Sequence, residues 1–595
     1  LALAVRLLGI HRGLPYVYYT DEAITVNHAV AFGTGDLNPH DFTYPSLYMY
    51  VLAGVYGLIY AVGRVTGSIA STNDFVRLFF ENATVFYLPG RLIAALAGVA
   101  TVGMVYVFGR RAYGSAVGLV AAAFLSVSMA HVKWSHYVKA HVPAGLLVLV
   151  ALSIAYSIYL GRDDWRHYLL AGAAAGLAAS TIYHAGFVIV SVVVAHVLRW
   201  RETRHSSART PLVSGKLLGA IAASFGAFVL GTPFALLDWR TFMSDLKSHG
   251  AMFYAGGFWE TGPFYPFSSL TGIMGKPLGL VALLGLGYAV VRRRPRDWIV
   301  ASQPLFLGAF LMVFPVREPQ HMLIAYPALS ILGASFLVDL VGWLVRRPTW
   351  RAIAVASAAT LIIAMPAAGS LRDSYRLSLP DTRTLAKEWF ESNIPGGSRV
   401  VMDSGKYYLG AFGPPLPLSR WTLEYFIARG KPPGGSLARM EGTRRIGYSG
   451  ESEYFRRQLA TLDGRPGYDV IQILHDPGSN VADVLTLEEY VKMGAQYAVT
   501  SSFARRSYGI GGAEAVSHER KAAQYRELYQ ALDARAILLK EFRPSESVQG
   551  PTLRVYQLPV DGTKTIAADG EKLKEDQAIL SLYDHELFHT QGGSP

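Results

Sequence analysis

Lys and Arg recur in alternate connections between apolar stretches, and this pattern constrains the chain more than any other feature. Apolar runs lie at about 91–109, 114–131, 142–160, 167–182, 184–199, 216–234, 273–291, 298–315, 320–342 and 352–369. The basic residues gather at Arg110 and Arg111; at Arg162 and Arg166; at Arg199, Arg201, Arg204, Arg209 and Lys216; at Arg292, Arg293, Arg294 and Arg296; and at Arg346, Arg347 and Arg351. An apolar helix of roughly 20 residues crosses a bilayer. Short loops rich in Lys and Arg stay on the cytoplasmic side. The pattern therefore predicts a helical bundle threaded back and forth, with the five basic loops inside and residues 11–90 and 370–595 outside.

Two segments need a separate reading. LALAVRLLGI at the start is too short to span and reads as the end of a helix that begins before this sequence. Residues 44–63 (YPSLYMYVLAGVYGLIYAVG) are long enough to cross, but a crossing there would reverse every later loop. They are read as a helix lying on or dipping into the outer leaflet, with tyrosines at headgroup level. The expected count is about eleven spans, amino end in and carboxyl end out. The alternative is a true span with a return hidden in 64–90.

Composition agrees. The chain is 51% hydrophobic and 16% charged, with mean hydropathy +0.26. Residues 1–369 hold 27 Lys+Arg against 15 Asp+Glu, and residues 370–595 hold 28 of each. The formal charge of +12 thus belongs to the apolar part, where inside loops explain it, and no nucleic-acid partner is expected. There is no cysteine, so disulfides, thiolate metal sites and Cys nucleophiles are excluded.

The remainder reads as a small α/β domain over 370–559. DTRTLAKEWFESNIPGG (381–397) has an Asp cap, helical periodicity and a Pro-Gly stop. Strands are expected at 470–474, 498–502, 536–542 and 553–558, and helices at 486–494 and 513–533. Residues 404–450 read as long loops and 560–595 as a polar tail.

Chemistry is concentrated in the first outward loop. YYTDEAITVNHAVAFGTGDLNPHDFTYPSLYMY (18–50) carries Asp21 and Glu22 about ten residues beyond the first hydrophobic segment. Outside the membrane no nucleotide sugar or ATP is at hand, so a transfer reaction there draws on a lipid-linked activated group. Asp21 is placed to take a proton from an attacking hydroxyl. Glu22 points elsewhere if the segment is helical, because adjacent side chains diverge by ~100°. Read blandly, the two are solvated loop acids or helix-start charges.

Several segments in order resemble the polyprenyl-phosphate-sugar-dependent glycosyltransferases of the GT-C superfamily. The likeness is to the glycosyltransferase 39-like group of protein O-mannosyltransferases and lipid A aminoarabinose transferases. They are Asp21-Glu22, Tyr44-Pro45, RLIAALAGVATVGMVYVFGRR (91–111), SMAHVKWSHYVKAHVPAG (128–145), GLAASTIYHAG (176–186), GTPFALLDWRTFMSDL (231–246) and HMLIAYPAL (321–329). The resemblance covers residues 1–400. It implies a GT-C-like transmembrane domain over 1–369 with a catalytic first outer loop at 11–90. It also implies inverting transfer of a monosaccharide from a polyprenyl-phosphate carrier to an acceptor hydroxyl, with Asp21 as base and Glu22 beside it. The implied partners are the donor lipid, an acceptor protein, lipid or glycan, and an envelope complex. The implied setting is a bacterial or archaeal plasma membrane, with the C-terminal domain extracytoplasmic.

A phosphate leaving group calls for cations. Arg91 matches the family's Arg at the outer start of its helix, and Lys139 and Arg317 lie at other outer helix ends. With Tyr44, His141, Tyr183 and His321 they form the expected lipid-phosphate and sugar site; each cation also has a bland reading as a headgroup-snorkelling residue. Two departures stand out. His141 occupies a place where relatives commonly carry an Asp, which leaves a divalent metal doubtful. Gln320-His321 replaces an Arg-Tyr before the late Pro. His131, His136 and His141 are spaced by five, unlike a metal pair on one helix face. A non-catalytic GT-C-like subunit scaffolding a membrane or cell-envelope complex is the alternative, and a lipid or solute carrier ranks last for want of internal repeats.

Overall fold

The computed structural model describes residues 1–205, 210–254, 265–313, 319–405, 412–429, 451–462, 467–475, 484–507 and 519–559. The chain packs as two units. One comprises Leu1–Ile10, Phe32–Tyr56 and Leu88–Tyr375, and the other His11–Ala31, Gly57–Tyr87 and Arg376–Pro595.

The first unit is helical, and a helix coincides with each of the ten apolar runs. Six helical segments are long and apolar enough to cross a membrane by length and composition: Leu47–Thr66, Thr84–Tyr113, His141–Tyr159, Tyr183–Thr203, Gln320–Leu344 and Pro348–Leu377. Ser115–Val127 and Gly215–Gly231 are apolar but shorter. The chain is an integral membrane protein. The segment Leu47–Thr66, expected at the interface, is one unbroken helix that meets the length and composition of a span.

Helix ends are set by local chemistry. Asp164 accepts from the His167 N–H (3.1 Å) to start Trp165–Thr181, and Ser214 accepts from the Lys216 N–H (3.2 Å) to start Gly215–Gly231. These two helices then pack backbone to backbone. A Cβ on Gly172 would lie 2.0 Å from the Ala220 carbonyl oxygen, and one on Gly176 2.0 Å from that of Ser224. Small residues spaced by four permit this approach, and in lipid such packing supplies the attraction that the hydrophobic effect supplies in water.

The basic connections come together. Arg111 donates to Ser157 Oγ (2.7 Å), and Arg296 to the Ala112 carbonyl (3.1 Å). Arg292 grips Asp297 (2.7 and 2.6 Å) and also reaches Asp339, while Tyr113 donates to Asp297 (2.9 Å). Lys216 bonds Asp163 (2.9 Å). Loops distant in sequence are thereby tied by the charges that the alternation assigns to one side.

The second unit holds a five-stranded mixed sheet. Its strands are β1 (Arg399–Gly405), β2 (Asp469–His475), β3 (Tyr497–Ser501), β4 (Ile537–Phe542) and β5 (Leu553–Gln557). The order is β2-β1-β3-β5-β4, with β1 parallel to β2 and β3, and β5 antiparallel to β3 and β4. Both faces are buried in alternation. Val401, Ile471, Ala498 and Tyr556 pack under Tyr525, Leu528 and Tyr529, while Val400, Met402, Val470, Val499 and Val555 pack on Phe390. Period-2 side chains on a sheet covered on both sides produce this split.

The expected α/β alternation is present, with corrections. β1 was not among the expected strands, and its end runs into the stretch read as loops from 404. Asp403 is buried nonetheless, accepting from the Ser501 N–H and the Tyr529 hydroxyl (both 2.7 Å). Within the stretch read as loops, Arg420–Arg429 is helical. The helix expected at 513–533 is observed as Glu519–Arg535. Residues 406–411, 430–450, 513–518 and 560–595 lie outside the described residues.

Candidate active site

Asp21 and Glu22 occupy the first turn of the helix Thr20–Ala31, in the second unit. Carboxylates are favoured there by the helix dipole. The two diverge as adjacent helical residues must. Glu22 is 0% exposed, whereas Asp21 is partly exposed and accepts a hydrogen bond from the Tyr19 hydroxyl (2.9 Å). Of the pair, only Asp21 is partly exposed.

Tyr19 follows Tyr18, which is clamped by the helix Thr382–Asn393. The Tyr18 hydroxyl is 2.6 Å from Thr384 Oγ1, and the Arg383 Cζ stands 3.9 Å from its ring centre. Burial, reinforced by the Asp381 carboxylate, pushes the Tyr18 phenol well above its usual range, so it stays neutral. Sequence reasoning missed this contact, which joins residues more than 360 positions apart with no local signal.

The first unit assembles Lys139 with Tyr44. The Lys139 ammonium donates to the Tyr44 hydroxyl (3.4 Å) and lies 5.5 Å from the Tyr44 ring and 5.7 Å from the Trp134 ring. A buried cation between aromatic faces gains from their quadrupoles. The Tyr183 hydroxyl donates to the Phe42 carbonyl (2.9 Å), and the Phe42 N–H donates to Asp245 (2.9 Å). Nearby, His40 bonds Asp36 (2.8 Å), and Asn38 donates to Asp238 (2.9 Å). Burial works to raise the Asp238 carboxyl, but bonds from Asn38 and Thr241 and the His40 ring outweigh it and hold it below the ordinary carboxylate range.

His141, His184 and His321, each at the start of a helical segment, converge. Their ring centres are 6.3 Å (141 to 184), 6.3 Å (141 to 321) and 5.2 Å (184 to 321) apart. His141 Nδ1 and His184 Nε2 are buried without a hydrogen-bond partner among the described residues. Such nitrogens are costly unless something pairs with them. His131 and His136 lie elsewhere: His131 meets Arg6 (2.9 Å), and His136 bonds the Val132 and Leu8 carbonyls (both 2.9 Å). Among the described residues no group of three or more His, Asp or Glu side chains has the arrangement of a metal site. Arg91 is buried and donates to the Ile10 carbonyl (2.9 Å), in the turn that follows the helix Ala2–Leu7. Arg317 lies outside the described residues.

The fold is that of a membrane protein of many helices with an α/β domain. Residues 75–229 match the model of the dolichyl-phosphate-mannose-protein mannosyltransferase family. The resemblance to GT-C glycosyltransferases is thus found independently over the first membrane helices. No curated protein matches the chain. Among solved structures, ArnT from Cupriavidus metallidurans, bound to undecaprenyl phosphate, is 12% identical at TM-score 0.47, covering 95% of this chain and 98% of its own. The oligosaccharyltransferase AglB from Archaeoglobus fulgidus, in complex with an inhibitory peptide and a dolichol-phosphate, is 11% identical at TM-score 0.45, covering 98% and 77%. Both likenesses are too loose to assign chemistry to particular residues.

Proposed function

We propose that this chain is a membrane glycosyltransferase that moves a monosaccharide from a polyprenyl-phosphate carrier to an acceptor hydroxyl on the extracytoplasmic face, with inversion. Asp21 takes the hydroxyl proton as the acceptor oxygen bonds the anomeric carbon. The bond from that carbon to the phosphate oxygen breaks, and the lipid phosphate leaves with the electron pair. The partly exposed Asp21, held by the Tyr19 hydroxyl while its neighbour Glu22 is buried, is the observation that carries this reading. Glu22 anchors the helix start from within.

The leaving phosphate gains charge, and preorganised donors lower the barrier where charge develops. Lys139 in its aromatic cage is assigned that role. His141, His184 and His321 offer imidazole nitrogens to phosphate or sugar oxygens, Tyr44 and Tyr183 frame the site, and Arg91 and Arg317 are its further cations. No step requires a metal. The reading includes about eleven spans, domain limits at 369 and 559, and an outward C-terminal domain in a bacterial or archaeal plasma membrane. The acceptor is a protein, lipid or glycan.

Asp21→Asn tests this. The variant is expected to fold and to lose transfer, read as label moving from a polyprenyl-phosphate sugar into membrane material. Wild-type turnover would remove the base assignment. The second reading, a scaffold subunit, draws on His141 and Gln320; it expects no transfer from the wild-type chain either.

A further inference from the structure

We infer that the C-terminal domain sets the position of the catalytic carboxylate, through a latch of Arg383 and Thr384 on Tyr18. The inference rests on the reading of Asp21 as base. Every contact in it lies within the second unit.

The latch starts from a rigid platform. The Thr382 N–H donates to the Gln549 carbonyl (2.8 Å) and its hydroxyl to the Pro551 carbonyl (2.7 Å), while the Gln549 N–H donates back to the Pro380 carbonyl (2.8 Å). Asp381 caps the helix Thr382–Asn393 through the Arg383 N–H (3.0 Å) and takes the Arg383 guanidinium in two bonds of 2.8 Å. The guanidinium is 1% exposed and cannot swing into solvent without breaking this buried pair. Its Cζ lies over the Tyr18 ring, and Thr384, one residue on, holds the hydroxyl of the same ring. Lys387, one turn further, lies 5.3 Å from the Tyr16 ring.

These contacts fix the backbone immediately before Tyr19, the residue that bonds Asp21. A loop entering a helix would otherwise leave the first turn free to fray. A base that must meet an acceptor proton at hydrogen-bond distance loses rate when displaced by about 1 Å. Arg383 and Thr384 touch neither donor nor acceptor in this account. They are positioning residues that act through Tyr18 and Tyr19.

The test is hydrogen exchange on the full chain in lipid nanodiscs, comparing wild type with Thr384→Val, Tyr18→Phe, Arg383→Met and Arg383→Lys. Losing a hydrogen bond worth ~1 kcal/mol should speed exchange in the amides of the helix Thr20–Ala31 by about fivefold in Thr384→Val and Tyr18→Phe. Arg383→Met should speed it more, and Arg383→Lys should partly restore protection by returning a cation to the ring. Amides of β1 and β3 should stay protected in each. Where donor turnover is followed, kcat should fall with donor KM unchanged. Unchanged exchange at Thr20–Ala31 in Thr384→Val and Tyr18→Phe, with the sheet intact, would overturn the inference whatever Asp21 does. Exchange that rises as expected, with Asp21→Asn still active, would instead sink the base assignment and leave the latch standing.

Discussion

Lys139 and Tyr44, 95 residues apart, meet as donor and acceptor at 3.4 Å, with the ammonium also facing the tyrosine ring. If this cation stabilises the leaving lipid phosphate, Lys139→Met should lower kcat and kcat/KM for the donor by about tenfold or more, the scale of one charge-assisted contact. Tyr44→Phe keeps the ring face and removes only the hydroxyl, so the change should be under about threefold. Initial-rate kinetics with varied polyprenyl-phosphate sugar separate the two.

The gripping of Asp297 by Arg292 predicts an asymmetric mutational response. Asp297 is wholly buried, so Arg292→Met strands a charge and should destabilise the protein by about 3–5 kcal/mol. The double variant with Asp297→Asn should recover much of that loss. Thermal melts in one detergent, with all four corners of the cycle, read the coupling.

Close packing at Gly172 and Gly176 predicts intolerance to size. Gly176→Val forces a side chain into the Ser224 carbonyl and must separate two helices. Its melting temperature should fall well below that of Gly226→Val, since a Cβ at Gly226 meets nothing within 4 Å.

In the α/β domain Arg505 holds Asp533 with two bonds (2.6 and 2.9 Å), joined by the Tyr556 hydroxyl. Burial pushes the Asp533 carboxyl up, but Arg505 and Tyr556 outweigh it and leave it below the ordinary range. A carboxylate depressed on folding stabilises fully above its unfolded value of about 3.9 and loses that contribution as pH falls through the folded value. Protection of β3 and β5 amides should therefore be level from about pH 5 to 8 and decline in acid. Asp533→Asn should flatten the decline and cost about 1–2 kcal/mol, toward the low end because water reaches the carboxylate.

The side chains themselves supply a test of topology. Without native cysteines, a single introduced thiol reports its own accessibility. Arg293→Cys should react with an impermeant maleimide only after the cytoplasmic side is opened, and Asn393→Cys should react from outside. The reverse pattern would invert the proposed orientation.

The helices over the ten apolar runs were legible because each run is uninterrupted, and the cap at Asp381 lies where the sequence put it. β1 was not legible, because its polar end is buried by partners from β3 and a distant helix. Within the candidate site, the divergence of Asp21 and Glu22 follows from helical geometry alone. The meeting of Lys139 with Tyr44 and of three histidines does not, since periodicity says which face a residue occupies and not which distant face it finds. Arg91 is buried against a backbone carbonyl, a placement that the pattern of outer helix ends does not contain.

The second unit gathers three separated stretches of sequence, so the polypeptide passes between the two units five times. It is therefore no cassette on a tether. Ending the chain after the last apolar helix would delete the partners of residues 11–31 while sparing every span, and a hybrid with another protein's C-terminal domain would need matching surfaces for both remaining stretches, 11–31 and 57–87. Change in this domain is coupled to the loop that carries the carboxylate, whatever the domain itself recognises.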